Sequence, residues 1–186
     1  MKRFALLLLS IVFPVCAQES TTESDVSNQE TPSEQICFSS AQIERGVQRV
    51  EISKDQHKAT ALMLTKPLRS DTVDCSSNMF SYPFVREATS ASSEGIWFNE
   101  ETTEVALQLN WQRVLILDVK PNDVVVWRED EKIAQVASVN EIVVVGPNQW
   151  MIDVNIKPNS TPVLRYSFAI PEDLPKNTEV WRRVRK

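Results

Sequence analysis

Histidine and glycine are nearly missing from this 186-residue chain, which holds one histidine, His57, and three glycines, Gly46, Gly95 and Gly146. A single imidazole cannot build a zinc site of two or three histidines. His57 lies in the polar run Asp55-Gln56-His57-Lys58, where nothing suggests a buried acid beside it, so a solvated turn histidine is expected rather than the base of a Ser-His-Asp arrangement. Three isolated glycines make no phosphate-cradling loop and no dinucleotide fingerprint, and Ser-x-x-Lys and Gly-x-Ser-x-Gly are missing too. No catalytic residue, metal site or cofactor is expected on these grounds.

Long apolar runs are also lacking. A membrane-spanning helix needs about twenty such residues, and the run over 4–15 has twelve, broken near its end by Pro14. With Met1-Lys2-Arg3 before it and Val15-Cys16-Ala17 ahead of the polar Gln18, residues 1–17 read as a cleavable signal peptide, which makes the mature protein periplasmic or secreted, with no transmembrane segment after cleavage. Cys16 raises the alternative of an acylated lipoprotein cysteine, but such signals carry a small residue directly before it and Val15 stands there. A cut after Ala17 discards Cys16. That leaves Cys37 and Cys75, an even pair in an exported chain and hence an expected disulfide, worth about 4 kcal/mol in the chain-entropy view. Neither sits in a Cys-x-x-Cys pair or beside a basic residue, so redox catalysis is not indicated.

Positive charge is scarce. The mature chain keeps 18 basic against 25 acidic residues, a net charge of −7, which argues against nucleic acid as a partner. The one basic cluster, Arg182, Arg183, Arg185 and Lys186, reads as a solvated strand end or as a contact for acidic lipid or polysaccharide. Residues 18–35 carry five carboxylates, no basic residue and no aromatic, the composition of an acidic disordered linker. From residue 36 apolar residues recur without a second linker, so 36–186 is expected to be a single β-rich domain.

Within it, Ser39 with Gln42 signals a short helix ending at Gly46. The stretch 47–64 fits either a hairpin turning at Lys54-Asp55-Gln56 or a helix entered at Ser53, and 68–93 reads as irregular chain. Beyond this a period of two recurs: Val105, Leu107, Leu109 and Trp111; 113–119, apolar on both faces except at Arg113 and Asp118, as a central strand would be; 124–127; 132–137; 141–145; Trp150, Ile152, Val154 and Ile156; Leu164, Tyr166, Phe168 and Ile170; and 179–184. Short strands about ten residues apart predict an all-β fold, an antiparallel β-sandwich.

Val126-Trp127-Arg128, Lys132-Ile133-Ala134, Gln149-Trp150-Met151-Ile152-Asp153-Val154 and the strand from Val163 to Ile170 resemble the last strands of bacterial immunoglobulin-like modules, which place a tryptophan before an alternating strand, then a loop, then a Val-Leu strand. The resemblance covers residues 124–170 and implies an immunoglobulin-like sandwich but no function. Of five tryptophans, Trp111 and Trp150 continue apolar strand faces and belong to the core, while Trp97, Trp127 and Trp181 are candidate binding aromatics. Asp118 and Asp153 are the acids a polysaccharide hydrolase could use. Asn159-Ser160-Thr161 satisfies the glycosylation pattern. The expectation is therefore an exported, non-catalytic binding or assembly module whose partner is a protein or polysaccharide of the envelope. A carboxylate-dependent hydrolase, or an inhibitor of a secreted enzyme presenting a loop within 76–93, is the alternative. Intact mass of the exported protein should match a chain starting at Gln18, two hydrogens light for one disulfide; a mass retaining Cys16 plus lipid refutes the cleavage assignment.

Overall fold

The computed structural model describes residues 32–54, 56–89, 94–147, 149–170 and 173–184. The expected signal peptide over 1–17, residues 18–31 of the expected linker, Arg185 and Lys186 lie outside the described residues. The chain runs through α1 (Pro32–Cys37), α2 (Ser40–Glu44), β1 (Val47–Lys54), β2 (His57–Thr65), α3 (Tyr82–Thr89), β3 (Glu94–Trp97), α4 (Glu100–Asn110) and β4 (Trp111–Val114). A 3-10 turn (Ile116–Asp118) leads to β5 (Val124–Glu129), β6 (Lys132–Gly146), β7 (Gln149–Ile156), β8 (Leu164–Ile170) and β9 (Thr178–Arg183). Every strand pair is antiparallel, in a three-stranded sheet of order β1-β2-β3 and a six-stranded sheet of order β4-β9-β5-β6-β7-β8. The larger sheet curls into a half-barrel.

Ser39 starts α2 through its backbone, its carbonyl accepting from Gln42 and Ile43 at 2.8 and 3.0 Å, while its hydroxyl makes no cap. Gly46 ends the turn at a φ of 104°, a left-handed conformation that side chains resist. The ambiguous stretch after it is a hairpin, paired from Val47↔Leu64 to Lys54↔His57, because Ala59, Ala61 and Leu64 bury on a sheet.

Four expectations are corrected. The alternation of Val105, Leu107, Leu109 and Trp111 is helical: Glu100–Asn110 form α4, with the Asn99 side chain accepting from the Thr102 N–H at 2.8 Å and Glu100 and Glu101 in the first turn. Consecutive residues Val105, Ala106 and Leu107 are all buried because α4 packs on both sheets, which blurs the 3.6 period. Residues 113–119 are no central strand. β4 stops at Val114, and Leu115 and Leu117 are 72% and 66% exposed while Ile116 and Val119 turn onto the core. Residues 68–93 contain α3, and the two strands expected over 132–137 and 141–145 are one fifteen-residue strand, β6, whose register shifts between Val139 and Glu141.

At β5 the six-stranded sheet buries both faces, which is why this strand reads as unbroken Val-Val-Val-Trp. Val124 and Val126, with Ile133 and Val136, meet Leu107 of α4 and the rings of Phe80, Phe84, Trp111 and Trp181. Val125 and Trp127 face the other way, into a core of Ala137, Val139, Ile152, Val154, Ile156 and Ile170. Glu104 and Glu179 hold the Arg128 guanidinium, tying α4 to β5 and β9.

The two sheets are joined through the segment 74–78. Cys75 is disulfide-bonded to Cys37, with Cα atoms 5.6 Å apart, the pairing expected of the two cysteines beyond Cys16. The Cys75 carbonyl accepts from the Trp97 indole at 2.9 Å, and the Ser76 carbonyl accepts from the Ile96 N–H at 2.8 Å. A Cβ on Gly95 would lie 2.8 Å from the Ser76 carbonyl oxygen, so glycine alone lets this segment lie against β3. Asn78 completes the seam, its amide donating to the Phe98 carbonyl at 2.7 Å.

From the other sheet comes Lys157, the residue after β7, which is completely buried. Its ammonium donates to the backbone carbonyls of Asp74, Ser77 (2.6 Å) and Asn159 (2.8 Å), with the Asp74 carboxylate at 3.9 Å. Three donors meet three acceptors, as a buried charge requires. Burial pulls its pKa down from 10.5 to about 8, the Asp74 charge opposing this and Arg69 adding to it. The folded value lies below the unfolded one, so between about 8 and 10.5 the unfolded chain keeps a proton that the folded chain has released. Stability therefore rises with pH across that window. Denaturant titrations at pH 7 and pH 10 should show the wild type gaining on the order of 2 kcal/mol over Lys157→Met between the two; an unchanged difference would refute the assignment.

Candidate functional site

The candidate residues scatter. Trp97 is buried, its indole bonded to Cys75 and its face met edge-on by Phe38 at 4.8 Å between centroids. Trp127 is buried against Phe168, 5.5 Å away. Neither ring is free to stack on a ligand. Trp181 is half-buried, packing on the core around Val124 and Val126 and donating to Glu179 at 3.0 Å. Arg182, expected in a free basic cluster, is committed: it grips the buried Asp123 carboxylate at 2.9 and 2.7 Å and donates to the Asp118 carbonyl at 2.5 Å. Arg183 is exposed at the end of β9, opposite Trp111. His57 is exposed at the start of β2, and the Asp118 side chain is exposed in the 3-10 turn.

Asp153 lies on the opposite face of β7 from Ile152 and Val154. Its carboxylate accepts from the Ser167 hydroxyl and from the Arg165 guanidinium, whose Nε lies 3.0 Å away, and Arg165 also bonds Glu141 at 3.0 Å. The Ser167 hydrogen bond first, and Arg165 second, hold the Asp153 pKa below its ordinary value. Such a group anchors an ion pair across β6, β7 and β8. It is poorly suited to donating a proton.

A shallow cleft of about 250 Å³ is lined by Arg113, Arg128, Glu131, Lys176, Asn177, Thr178 and Glu179. Its arginines face acids already: Arg128 meets Glu104 and Glu179, and Arg113 meets Glu179 at 3.5 Å. Among the described residues no group of three or more His, Cys, Asp or Glu is placed to hold a metal, and no helix is long and apolar enough to cross a membrane.

What remains open is a sheet edge. Unpaired strand edges attract other strands, and proteins guard them with shortness, charge or cover. Three of the four edges here are guarded. β4 has four residues, β3 has four and lies against the 75–78 segment through Ser77↔Ile96, and β1 exposes Arg49 and Glu51. β8 is different. It pairs with β7 over seven consecutive residues without a bulge, and no other described strand pairs with it. It has no proline, and its one charge, Arg165, is bound to Asp153 and Glu141.

The direction of its free groups follows from its end. The Ala169 N–H donates to the Asp173 carboxylate at 3.2 Å and its carbonyl accepts from the Asp173 N–H at 3.0 Å, so the polar groups of Ala169 point away from β7. By the two-residue period, those of Arg165 and Ser167 also point outward. On the core face of this edge Leu164 and Tyr166 are 42% and 45% exposed, with Val163 exposed just before them. Beyond it the β6–β7 hairpin exposes Val143, Val144 and Val145. The alternation of β8 was legible in the sequence; its place at an edge was not, since strand order is set by distant pairing. Lys157 left only a faint signal, a lone cation closing an apolar strand.

Comparison of the chain with protein families, curated proteins and solved structures gives no match.

Because the folded-state pKa of Asp153 is lowered, its contribution to stability is present above the ordinary carboxylate range and is lost as pH falls through the lowered value. Asp153→Asn should be less stable than the wild type at pH 7 and close to it at pH 2 in urea titrations; a gap of the same size at both pH values would refute the ion-pair role.

Proposed function

We propose that this chain is an exported, non-catalytic binding or assembly module that engages its partner at β8 by strand addition. The observation that carries the reading is the contrast between one long, regular, apolar edge and three guarded ones. In strand addition, main-chain hydrogen bonds supply affinity, and alternate side chains, here Leu164 and Tyr166, supply specificity. The short positive start, the apolar run and the Val15-Cys16-Ala17 site support a place outside the cytoplasm, and the Cys37–Cys75 bond suits an oxidising compartment. Kinship with immunoglobulin-like sandwiches belongs to the same proposal and rests on residues 124–170.

Strand addition makes contact local, so the test is local. A photo-crosslinking phenylalanine at position 166, in cells that make and export the protein, should form an adduct on irradiation, whereas the same probe at exposed Gln112 on the opposite edge should not. Equal labelling at both positions, or none at 166, would overturn the reading.

A further inference from the structure

We infer that the strand added to β8 is β8 of a second copy, giving a two-fold dimer with a continuous sheet through both chains. This inference rests on the edge reading above and goes beyond it by naming the partner. The chain's own acidic segment over 18–31 has one valine and no aromatic, so it cannot supply side chains to pack against Leu164 and Tyr166. β8 itself supplies them.

Antiparallel pairing of a strand with its own copy about a two-fold requires outward-facing residues to meet outward-facing residues, which leaves three central registers. Centring the two-fold on Arg165 sets two guanidinium groups directly opposite each other, which is repulsive. Centring it on Ser167 pairs Arg165 with Ala169 of the other copy, whose N–H and carbonyl Asp173 already occupies. Centring it on Tyr166 avoids both. Arg165 then faces Ser167 of the second copy twice over, exchanging four main-chain hydrogen bonds from the groups left free, and pairing stops where Asp173 caps the strand.

This register is also matched in charge and in bulk. The Ser167 hydroxyl is bonded to Asp153, so each Arg165 arrives beside the other copy's Asp153 carboxylate and extends the Glu141, Arg165, Asp153 ladder across the two-fold. On the core face Tyr166 meets its own image, and Leu164 meets Phe168 of the second copy, covering the most exposed apolar side chains of the edge. Tyr166 sits at a non-hydrogen-bonded pair, where Cα atoms approach to about 4.5 Å, within the span of a disulfide.

Sedimentation of the mature chain over a range of concentrations should show mass rising toward twice the monomer value, and Tyr166→Lys should hold it at the monomer value with an unchanged circular dichroism spectrum. Under mild oxidation Tyr166→Cys should give a disulfide-linked dimer and Leu164→Cys should not, since Leu164 does not face itself; this pair keeps the test alive if Tyr166→Lys fails to fold. A wild type monomeric throughout, or Leu164→Cys dimerising as readily as Tyr166→Cys, overturns the inference. If the wild type is monomeric while the position-166 probe still labels a different protein, the second copy is refuted and the edge reading stands; if the probe labels nothing, both fall.

Discussion

The buried ammonium of Lys157 is the contact on which the arrangement of the two sheets depends. A charge taken out of water is tolerated only when its donors are met, and here the acceptors are main-chain carbonyls at Asp74, Ser77 and Asn159. The first two belong to the segment 74–78, which has no helix or strand of its own, and the third to the loop after β7 that carries the lysine. The same segment is fixed from the other side by the Cys37–Cys75 bond, by the Trp97 indole and by the close approach that Gly95 permits. The Asp74 N–H donates to the Ser160 carbonyl at 2.7 Å, so the loop after β7 and the segment before β3 bind each other in both directions. One end of the six-stranded sheet is in this way locked to the three-stranded one.

Helix α4 does the corresponding work in the interior. Ala106 packs with Ala61 of the smaller sheet and with Phe98 just after β3, and Leu107 packs with Val124 and Val126 of the larger. Neighbouring residues of a helix point about 100° apart, so two adjacent small or medium side chains can reach two different sheets. Its acids fix its angle: Glu104 takes Arg128, and Glu100 accepts from the Ile133 N–H at 3.0 Å. Much of the charge that reads as surface in the sequence is consumed in such ties, including Arg182 on Asp123. In the cleft near β9, Arg113, Arg128 and Glu179 are committed to one another in the same way.

Shape is dominated by how the sheet ends. Curling brings the core residues of β5, β6 and β7 together, but the sheet stops at β8 with its main-chain groups facing outward. A closed barrel would have no such edge. Asp173 caps only the last outward residue, so the unguarded stretch is regular and bounded, which are the properties of a specific contact more than of an indiscriminate one. The ion-pair ladder on the opposite face stiffens β7 and β8 without placing an unpaired charge at the edge.

The sequence by itself determined the elements whose signals are local. The strands β5, β7 and β8 follow from apolar runs, alternation and turn residues, the α2 boundary from Ser39 and Gly46, and the disulfide from the even pair of cysteines beyond Cys16. Tertiary structure decided the rest. The run 105–111 alternates like a strand, yet Asn99 caps a helix there and two sheets bury it on several sides, so period alone could not separate the alternatives. The apolar stretch over 113–119 lost its strand because only Ile116 and Val119 find a core to face. Trp97 and Trp127 became core because of what β2 and β8 bring beside them. Above all, that β8 lies at an edge, and that Lys157 lies beneath 74–77, depends on pairings between residues as far apart as 83 positions. Burial and strand order are properties of the whole chain's packing, and no local window of sequence contains them.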